Sequence, residues 1–166
     1  MSSLPSDLLT QYVDCFILND LVADKIVCVI CLKNENVSDE LFDRSLRFLK
    51  KFMKYARTNN KYFHFIFDTH MCETLPAARI YQLQQFTYNE HQEVITQFLS
   101  SSCIIIKNRA IKLILDFAFK FWVPIKPVEL IIHDKVDCNL STYGIPQYIM
   151  ESSKEFFNCT RKGNYY

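Results

Sequence analysis

The sequence YFHFIFD, residues 62–68, predicts a strand in the centre of a β-sheet. Its phenylalanines alternate with His64, Ile66 and Asp68, so that both sides of an extended chain are largely apolar. A strand with two apolar sides is typical of the middle of a sheet that helices cover on both faces. The fold can be worked out from this strand in both directions along the chain.

Four more strands are expected around it. Residues 11–18 (QYVDCFIL) and 25–32 (KIVCVICL) are apolar, β-branched and aromatic runs separated by a polar turn, which predicts an antiparallel hairpin. Residues 103–107 (CIIIK) and 128–133 (VELIIH) predict the fourth and fifth strands.

Helices are predicted between and after these strands. Residues 38–58 place apolar side chains at spacings of three and four, which indicates an amphipathic helix with Ser38 or Asp39 as its N-cap. Further helices are expected at residues 76–86, 90–99, 109–122 and 145–157.

We therefore predict an α/β fold with one mixed, five-stranded sheet. An N-terminal antiparallel hairpin is followed by parallel βα units, with helices on both faces of the sheet. The 166 residues are expected to form a single domain with an ordered core over about residues 10–157 and a C-terminal tail at 158–166.

Composition excludes several classes of function. The formal net charge of +1 gives no general attraction to nucleic acid, and the two glycines are too few for a phosphate-binding loop. Seven cysteines, an odd number, without a leader sequence predict reduced thiols and a cytoplasmic location. The apolar residues 110–125 are interrupted by charges, so no transmembrane segment is expected. Richness in Phe, Tyr, Lys and Asn indicates an AT-rich genome, such as that of a protist or a large DNA virus.

Three passages carry a resemblance to known families: FHFIFD at 63–68, CIIIKN at 103–108 and FKFWVPIKPVELI at 119–131. Together with the element order, they resemble the STAS domain (sulfate transporter and anti-sigma-factor antagonist) and the core of CRAL-TRIO lipid-carrier domains. A STAS-like chain is expected to be a protein-interaction or scaffold module, and a CRAL-TRIO-like chain a carrier of lipid or another apolar molecule. The phosphorylation motif of STAS antagonists is absent from residues 70–75 (HMCETL), where Thr74 is either a phospho-acceptor or the N-cap of the next helix.

Polar residues cluster where the predicted parallel strands end. Asp68, His70 and His133 are expected at one edge of the sheet, which is where α/β folds bind ligands. An enzyme could use Asp68 to orient His70 as a base and Cys72 as a nucleophile, but no glycine is available for an oxyanion hole, and we predict no catalysis. Cys28 and Cys31 lie three apart on a strand and face opposite ways, so no metal site or cofactor is expected.

The helix at 38–58 carries a row of basic residues. They lie at spacings of three and four and so share one side of the helix: Arg44, Arg47, Lys51 and Lys54. This row is either a solvated face or a contact for a phosphate-bearing partner or an acidic membrane surface.

The helix at 109–122 has more apolar surface than a sheet can cover, because its polar residues form the single line Lys112, Asp116 and Lys120. The surplus, which includes Phe117, Phe121 and Trp122, requires the final helix, a protein partner or an apolar ligand as cover. Our first hypothesis is a non-enzymatic, cytosolic interaction module that docks a protein through this helix. The alternative is a carrier of lipid or another apolar ligand. Peripheral contact with a membrane and homo-oligomerisation stay open.

Overall fold

The structure, a computed structural model, describes residues 2–19 and 25–133. In this part of the chain, six strands form a sheet in the order in which they occur in the sequence. The strands are β1 (Leu8–Leu9), β2 (Val13–Leu18), β3 (Ile26–Leu32), β4 (Phe63–Asp68), β5 (Leu99–Ile106) and β6 (Val128–Ile132). The helices are α1 (Asp39–Thr58), α2 (Ala77–Gln85), α3 (Gln92–Phe98) and α4 (Arg109–Phe121), with a π-helical turn at Phe86–Glu90.

Strand β4 lies in the interior of the sheet, as its two apolar sides predict. It pairs in parallel with β3 on one side, where Ile66 is opposite Val29, and with β5 on the other, where Ile66 is opposite Cys103. Strand β2 runs antiparallel to β3. The predicted α/β class, a mixed sheet with an antiparallel hairpin followed by parallel strands, is confirmed.

The sixth strand is β1, where the sequence predicted five strands in all. Leu8–Leu9 pairs antiparallel with β2 and is too short to show any alternation in sequence. Polar contacts hold the turn that follows it. The Thr10 hydroxyl donates to the Val13 carbonyl at 2.6 Å, and the Thr10 N–H donates to Asp14 Oδ1 at 2.9 Å. Asp14 also pairs with Lys33 at 2.6 Å.

Strand β5 begins at Leu99 and not at residue 103, so the helix predicted over 90–99 ends at Phe98. The serines at its start are polar, which hid the strand in the sequence. Ser101 and Ser102 are nevertheless buried in the sheet, and the Ser102 N–H donates to the Pro127 carbonyl at 2.9 Å.

Helix α1 begins and ends as the sequence predicts. The Ser38 hydroxyl accepts a hydrogen bond from the Leu41 N–H at 3.2 Å, which caps the first turn. After Thr58, Asn60 takes a positive φ of 52°, a conformation that asparagine tolerates better than most residues.

All four described helices pack on one side of the sheet, which we call the helical face. Helices α1 and α3 pack on Phe63 and Phe65. Helix α4 packs Ile111 on Ile104, which lies opposite Phe67 in the pairing of β4 with β5 and therefore on the same face. Right-handed crossovers between strands that follow in chain order return each helix to the same side.

The opposite face is buried as well. Its fully buried residues include Val27, Val29, Ile66 and Ile105. His64 also lies there and has Nδ1 at 2.7 Å from the Ser101 hydroxyl. The helix predicted at 145–157 and the tail predicted at 158–166 lie outside the described residues. Helices on both faces, and the single-domain boundaries, therefore stay predictions.

Replacing Phe52 tests the core beneath α1. Phe52 is fully buried and stacks edge-on against Phe63 with ring centroids 5.1 Å apart. We expect Phe52→Ala to lower the free energy of unfolding by about 3–5 kcal/mol, because the cavity left behind adds to the lost burial. The matched control is Phe121→Ala on the exposed side of α4. This substitution should change the free energy of unfolding, measured in urea, by less than about 0.5 kcal/mol. Similar losses in both variants would contradict the described core.

Candidate functional site

Helix α4 has two apolar sides, and they have different surroundings. Its first turn is capped by the Asn108 side chain, which accepts from the Ile111 N–H at 3.1 Å. Ile111 and Leu115 are buried against the sheet. On the outer side, Phe117 and Phe121 are 63% and 68% exposed and contact each other edge to face at 5.1 Å.

We call Leu113, Ile114, Phe117 and Phe121 the exposed α4 surface. The sequence predicted an apolar surplus on this helix, and the structure places these residues in contact with solvent. Trp122, grouped with Phe117 and Phe121 in the sequence, belongs elsewhere. It is less exposed, at 38%, and lines a cavity on the inner side of the helix.

This cavity lies on the helical face, between the sheet and helices α1, α2 and α4. Its volume is about 240 Å³, and its walls are almost entirely carbon. The strands contribute the floor, α1 and α2 two walls, and α4 and the loop after it the third. Residues that define these sides are Phe65, Phe67, Ile104, Leu46, Leu83, Phe119 and Trp122.

The cavity wall also includes polar and charged residues, among them Arg79, Gln84 and Lys126. The Arg79 guanidinium already has partners within the protein: it donates to the Val37 carbonyl at 2.8 Å and pairs with Asp39 at 2.8 Å. Gln84 differs: its Oε1 is buried and has no hydrogen-bond partner in the described part of the chain. Gln84 therefore leaves an acceptor beside the cavity.

Helix α2 explains why a cavity can exist here. None of its residues is fully buried, although Ile80 and Leu83 face the sheet side. It continues into the π-helical turn Phe86–Glu90, an irregularity that is often found near functional sites. The sequence predicted a helix over 76–86 but gave no sign of the space beneath it.

The predicted sheet-edge residues do come together. Asp68 is 2% exposed, and its Oδ1 accepts from the His70 backbone N–H at 3.1 Å and lies 2.5 Å from His70 Nδ1. The His133 ring stands perpendicular to the His70 ring with centroids 4.7 Å apart. We call these three residues the sheet-edge cluster. Asp68 projects from the face opposite the cavity, since it alternates with Phe67.

Cys72 does not join the sheet-edge cluster as a nucleophile. Its thiol is buried and donates to the Leu32 carbonyl at 3.3 Å. Burial, with the negative charges of Glu35 and Asp68 nearby, raises the pKa of Cys72 to about 12. A thiol held protonated in this way is a poor nucleophile at neutral pH. The enzyme mechanism considered from sequence therefore loses its attacking group.

Cys28 and Cys31 lie on opposite faces, as predicted, and cannot bind one ion together. Among residues 2–19 and 25–133, no three His, Cys, Asp or Glu side chains are arranged to hold a metal ion. None of the described helices is long and apolar enough to cross a membrane.

Thr74 is exposed and is not the cap of the next helix. Helix α2 begins at Ala77 with Pro76 in the N-cap position and without a side-chain cap. The predicted capping role is wrong because the chain is still extended at Pro76, the residue directly before the helix, which leaves Thr74 three residues before Ala77. A role as phospho-acceptor stays a prediction.

The basic row on α1, Arg44, Arg47, Lys51 and Lys54, is exposed along its whole length. We call these four residues the α1 stripe. None of them forms an ion pair within the described residues, whereas Arg57 at the end of the helix pairs with Glu93 at 3.3 Å. The α1 stripe is therefore a row of exposed positive charges that form no ion pair in the described part of the chain.

No family model, no curated protein and no solved structure matches the chain. The sequence and the structure define an α/β domain with a mixed sheet, an apolar cavity and an exposed apolar helix surface.

The buried thiols predict how stability depends on pH. Burial raises the pKa of Cys15 to about 12 and also raises the pKa values of Cys28 and Cys31. The unfolded chain releases these protons near the ordinary value of 9.0, while the folded chain keeps them. The free energy of unfolding should therefore be unaffected below that pH and fall above it, by about 1 kcal/mol for each buried thiol at about pH 10.

Urea unfolding near neutral pH and near pH 10, with a reductant present, measures this effect. Because lysines and tyrosines also titrate in this pH range, the unmodified protein is compared with Cys72→Ala. The free energy of unfolding of Cys72→Ala should fall less between the two pH values, by about the contribution of one thiol. An identical pH dependence in the two proteins would contradict the raised pKa of Cys72.

Proposed function

We propose that this chain is a non-catalytic binding domain that holds a small apolar ligand between its sheet and its helices. The observation that carries the proposal is the cavity of about 240 Å³ with almost purely apolar walls. Ligand sites are typically concave and mostly apolar with a few polar groups. Of the two functions that the sequence predicts, this is the carrier of an apolar molecule.

The volume limits the size of the ligand. An apolar cavity of about 150 Å³ is enough to bind benzene. In proportion, about 240 Å³ suits a molecule of roughly ten non-hydrogen atoms, such as a medium-chain fatty alcohol or a terpenoid. Because the cavity is partly open to solvent, a longer chain would extend beyond it.

One polar group in the wall suits a ligand hydroxyl. The buried Oε1 of Gln84 can accept a hydrogen bond from a ligand hydroxyl, which would remove the cost of about 1–3 kcal/mol of leaving a buried polar atom unpaired. A carboxylate could instead contact Lys126, which also lines the cavity and forms no ion pair within residues 2–19 and 25–133.

The resemblance to CRAL-TRIO domains agrees with this proposal, because those domains carry apolar molecules. Membership of that family, or of the STAS family, is part of the proposal. The cytoplasmic location expected from the cysteines is also part of the proposal.

Trp122 offers a direct assay, since it lines the cavity and is the single tryptophan in the chain. We expect its fluorescence to change in a saturable way on titration with decanol. Ala118→Phe, which fills the cavity from α4, should weaken decanol binding by at least about tenfold.

The matched control is Ala110→Phe, the same substitution at an exposed position of α4. It should bind decanol as the unmodified protein does. Urea unfolding of both variants shows whether each is folded. Absence of a saturable Trp122 response to any apolar ligand, in folded protein, would overturn the proposal.

A second candidate function is the protein-interaction module that the sequence predicts first. The observation in its favour is the exposed α4 surface, in which two phenylalanines are mostly in contact with water. Apolar patches of this kind, rimmed by polar residues such as Lys120, often mark protein contacts.

This candidate predicts that Phe117→Asp and Phe121→Asp abolish the capture of a specific protein partner. Both side chains are exposed, so the folded structure and the Trp122 response to decanol should be retained. The measurement is partner capture by tagged full-length chain, with Lys120→Asp on the same helix as control. Equal recovery of the partner by all three variants would contradict a docking role for the exposed α4 surface.

A further inference from the structure

The outer side of the helix layer combines positive charge with exposed apolar side chains. Helices α1 and α4 both pack on the helical face, so the sides that point away from the sheet lie on the same side of the molecule. On α1 this outer side presents the α1 stripe, and on α4 it presents the exposed α4 surface.

The positive charge on α1 extends along the helix. From Arg44 to Lys54 the α1 stripe covers about 15 Å of helix, and the exposed Lys50 adds to it. Neither Lys50 nor any residue of the α1 stripe has an ion-pair partner in the described part of the chain. The acidic Asp39, Glu40 and Asp43 are confined to the first turns, and Asp39 is engaged by Arg79.

We propose that this outer side of the helix layer docks on an anionic phospholipid surface. The α1 stripe would contact the lipid headgroups, and the exposed α4 surface would enter the boundary between headgroups and acyl chains. A bilayer is a partner that offers negative charge and an apolar phase within a few ångströms of each other. The proposal does not require that the cavity be occupied.

Two observations favour a lipid surface over a nucleic acid. The net charge of +1 gives the chain no long-range attraction to a polyanion, so only a local contact can use the α1 stripe. The exposed α4 surface includes Leu113 and Ile114, aliphatic side chains on which bases do not stack. The same side chains are well suited to the interfacial region of a bilayer.

The position of the cavity fits the same partner. Leu46 of α1 and Phe119 of α4 line it from behind the outer side of the layer. A membrane held against that side would therefore lie next to the helices that enclose the apolar space.

Vesicle co-sedimentation with the full chain tests the proposal. We expect binding to vesicles of phosphatidylcholine with about one quarter phosphatidylserine, weaker binding to phosphatidylcholine alone, and loss of binding at high salt. The double variant Arg47→Glu/Lys51→Glu should bind the anionic vesicles at least about tenfold more weakly, given roughly fivefold for each cation lost.

The control for charge is Lys25→Glu/Lys61→Glu, which changes the net charge equally at the starts of β3 and β4, away from the α1 stripe. It should bind as the unmodified protein does. The variant Phe117→Ser/Phe121→Ser keeps the charge and should also lose vesicle binding. Urea unfolding confirms that each variant is folded.

Four results would overturn the proposal: no preference for anionic vesicles, equal loss in the two charge variants, full binding by the Phe117→Ser/Phe121→Ser protein, or displacement of the protein from vesicles by single-stranded RNA. The last would identify the α1 stripe as a nucleic-acid contact. Loss of vesicle binding with an intact Trp122 response to decanol would leave the proposed ligand function standing, so the two proposals can fail separately.

Discussion

The direction of the crossovers is the constraint on which the rest of this structure depends. From β3 onward, each strand is followed in the sheet by the next strand of the chain, so every crossover steps the same way. Because such crossovers are right-handed, α1, the α2–α3 pair and α4 all return to the same face. A reversal of strand order anywhere along this path would have sent one helix to the opposite face and left no shared helix layer.

The shared layer produces both the cavity and the surfaces around it. Helices α1 and α4 fix the two sides of the layer through large buried residues, whereas α2 spans the space between them without one fully buried side chain. An occupant that binds the folded chain and not the unfolded chain would stabilise the fold.

The parts of the fold that can be predicted from sequence are those where a residue pattern repeats. Strand β4 and helix α1 are predicted almost to the residue, because alternation and helical spacing run through their whole lengths. Strand β1 is too short for a pattern, and the start of β5 is concealed by serines whose burial depends on the neighbouring strands. The sheet-edge cluster follows from strand direction, since Asp68 and His133 both lie at the carboxyl ends of parallel strands.

The cavity could not be predicted in this way. It depends on the distance between three helices and the sheet, and no local sequence pattern in α2 predicts that distance. Gln84 and Arg79 look like ordinary surface residues of a short helix in the sequence. In the folded chain, the Gln84 side chain has a buried oxygen without a hydrogen-bond partner among the described residues. The Arg79 side chain pairs with Asp39, which is far away in the sequence.

Helix α4 connects the interior of the layer with its exterior. Trp122 and Phe119 line the cavity, and Phe117 and Phe121 are exposed to solvent. One apolar side of the helix therefore belongs to the interior of the layer and the other to its surface. Exposing large apolar side chains promotes association, and a chain of net charge +1 has little electrostatic repulsion to oppose it. The line of Lys112, Asp116 and Lys120 separates the two apolar sides along one flank of the helix. A partner, whether a protein or a lipid surface, that covers the outer side would therefore bury apolar area without disturbing the side chains that enclose the cavity.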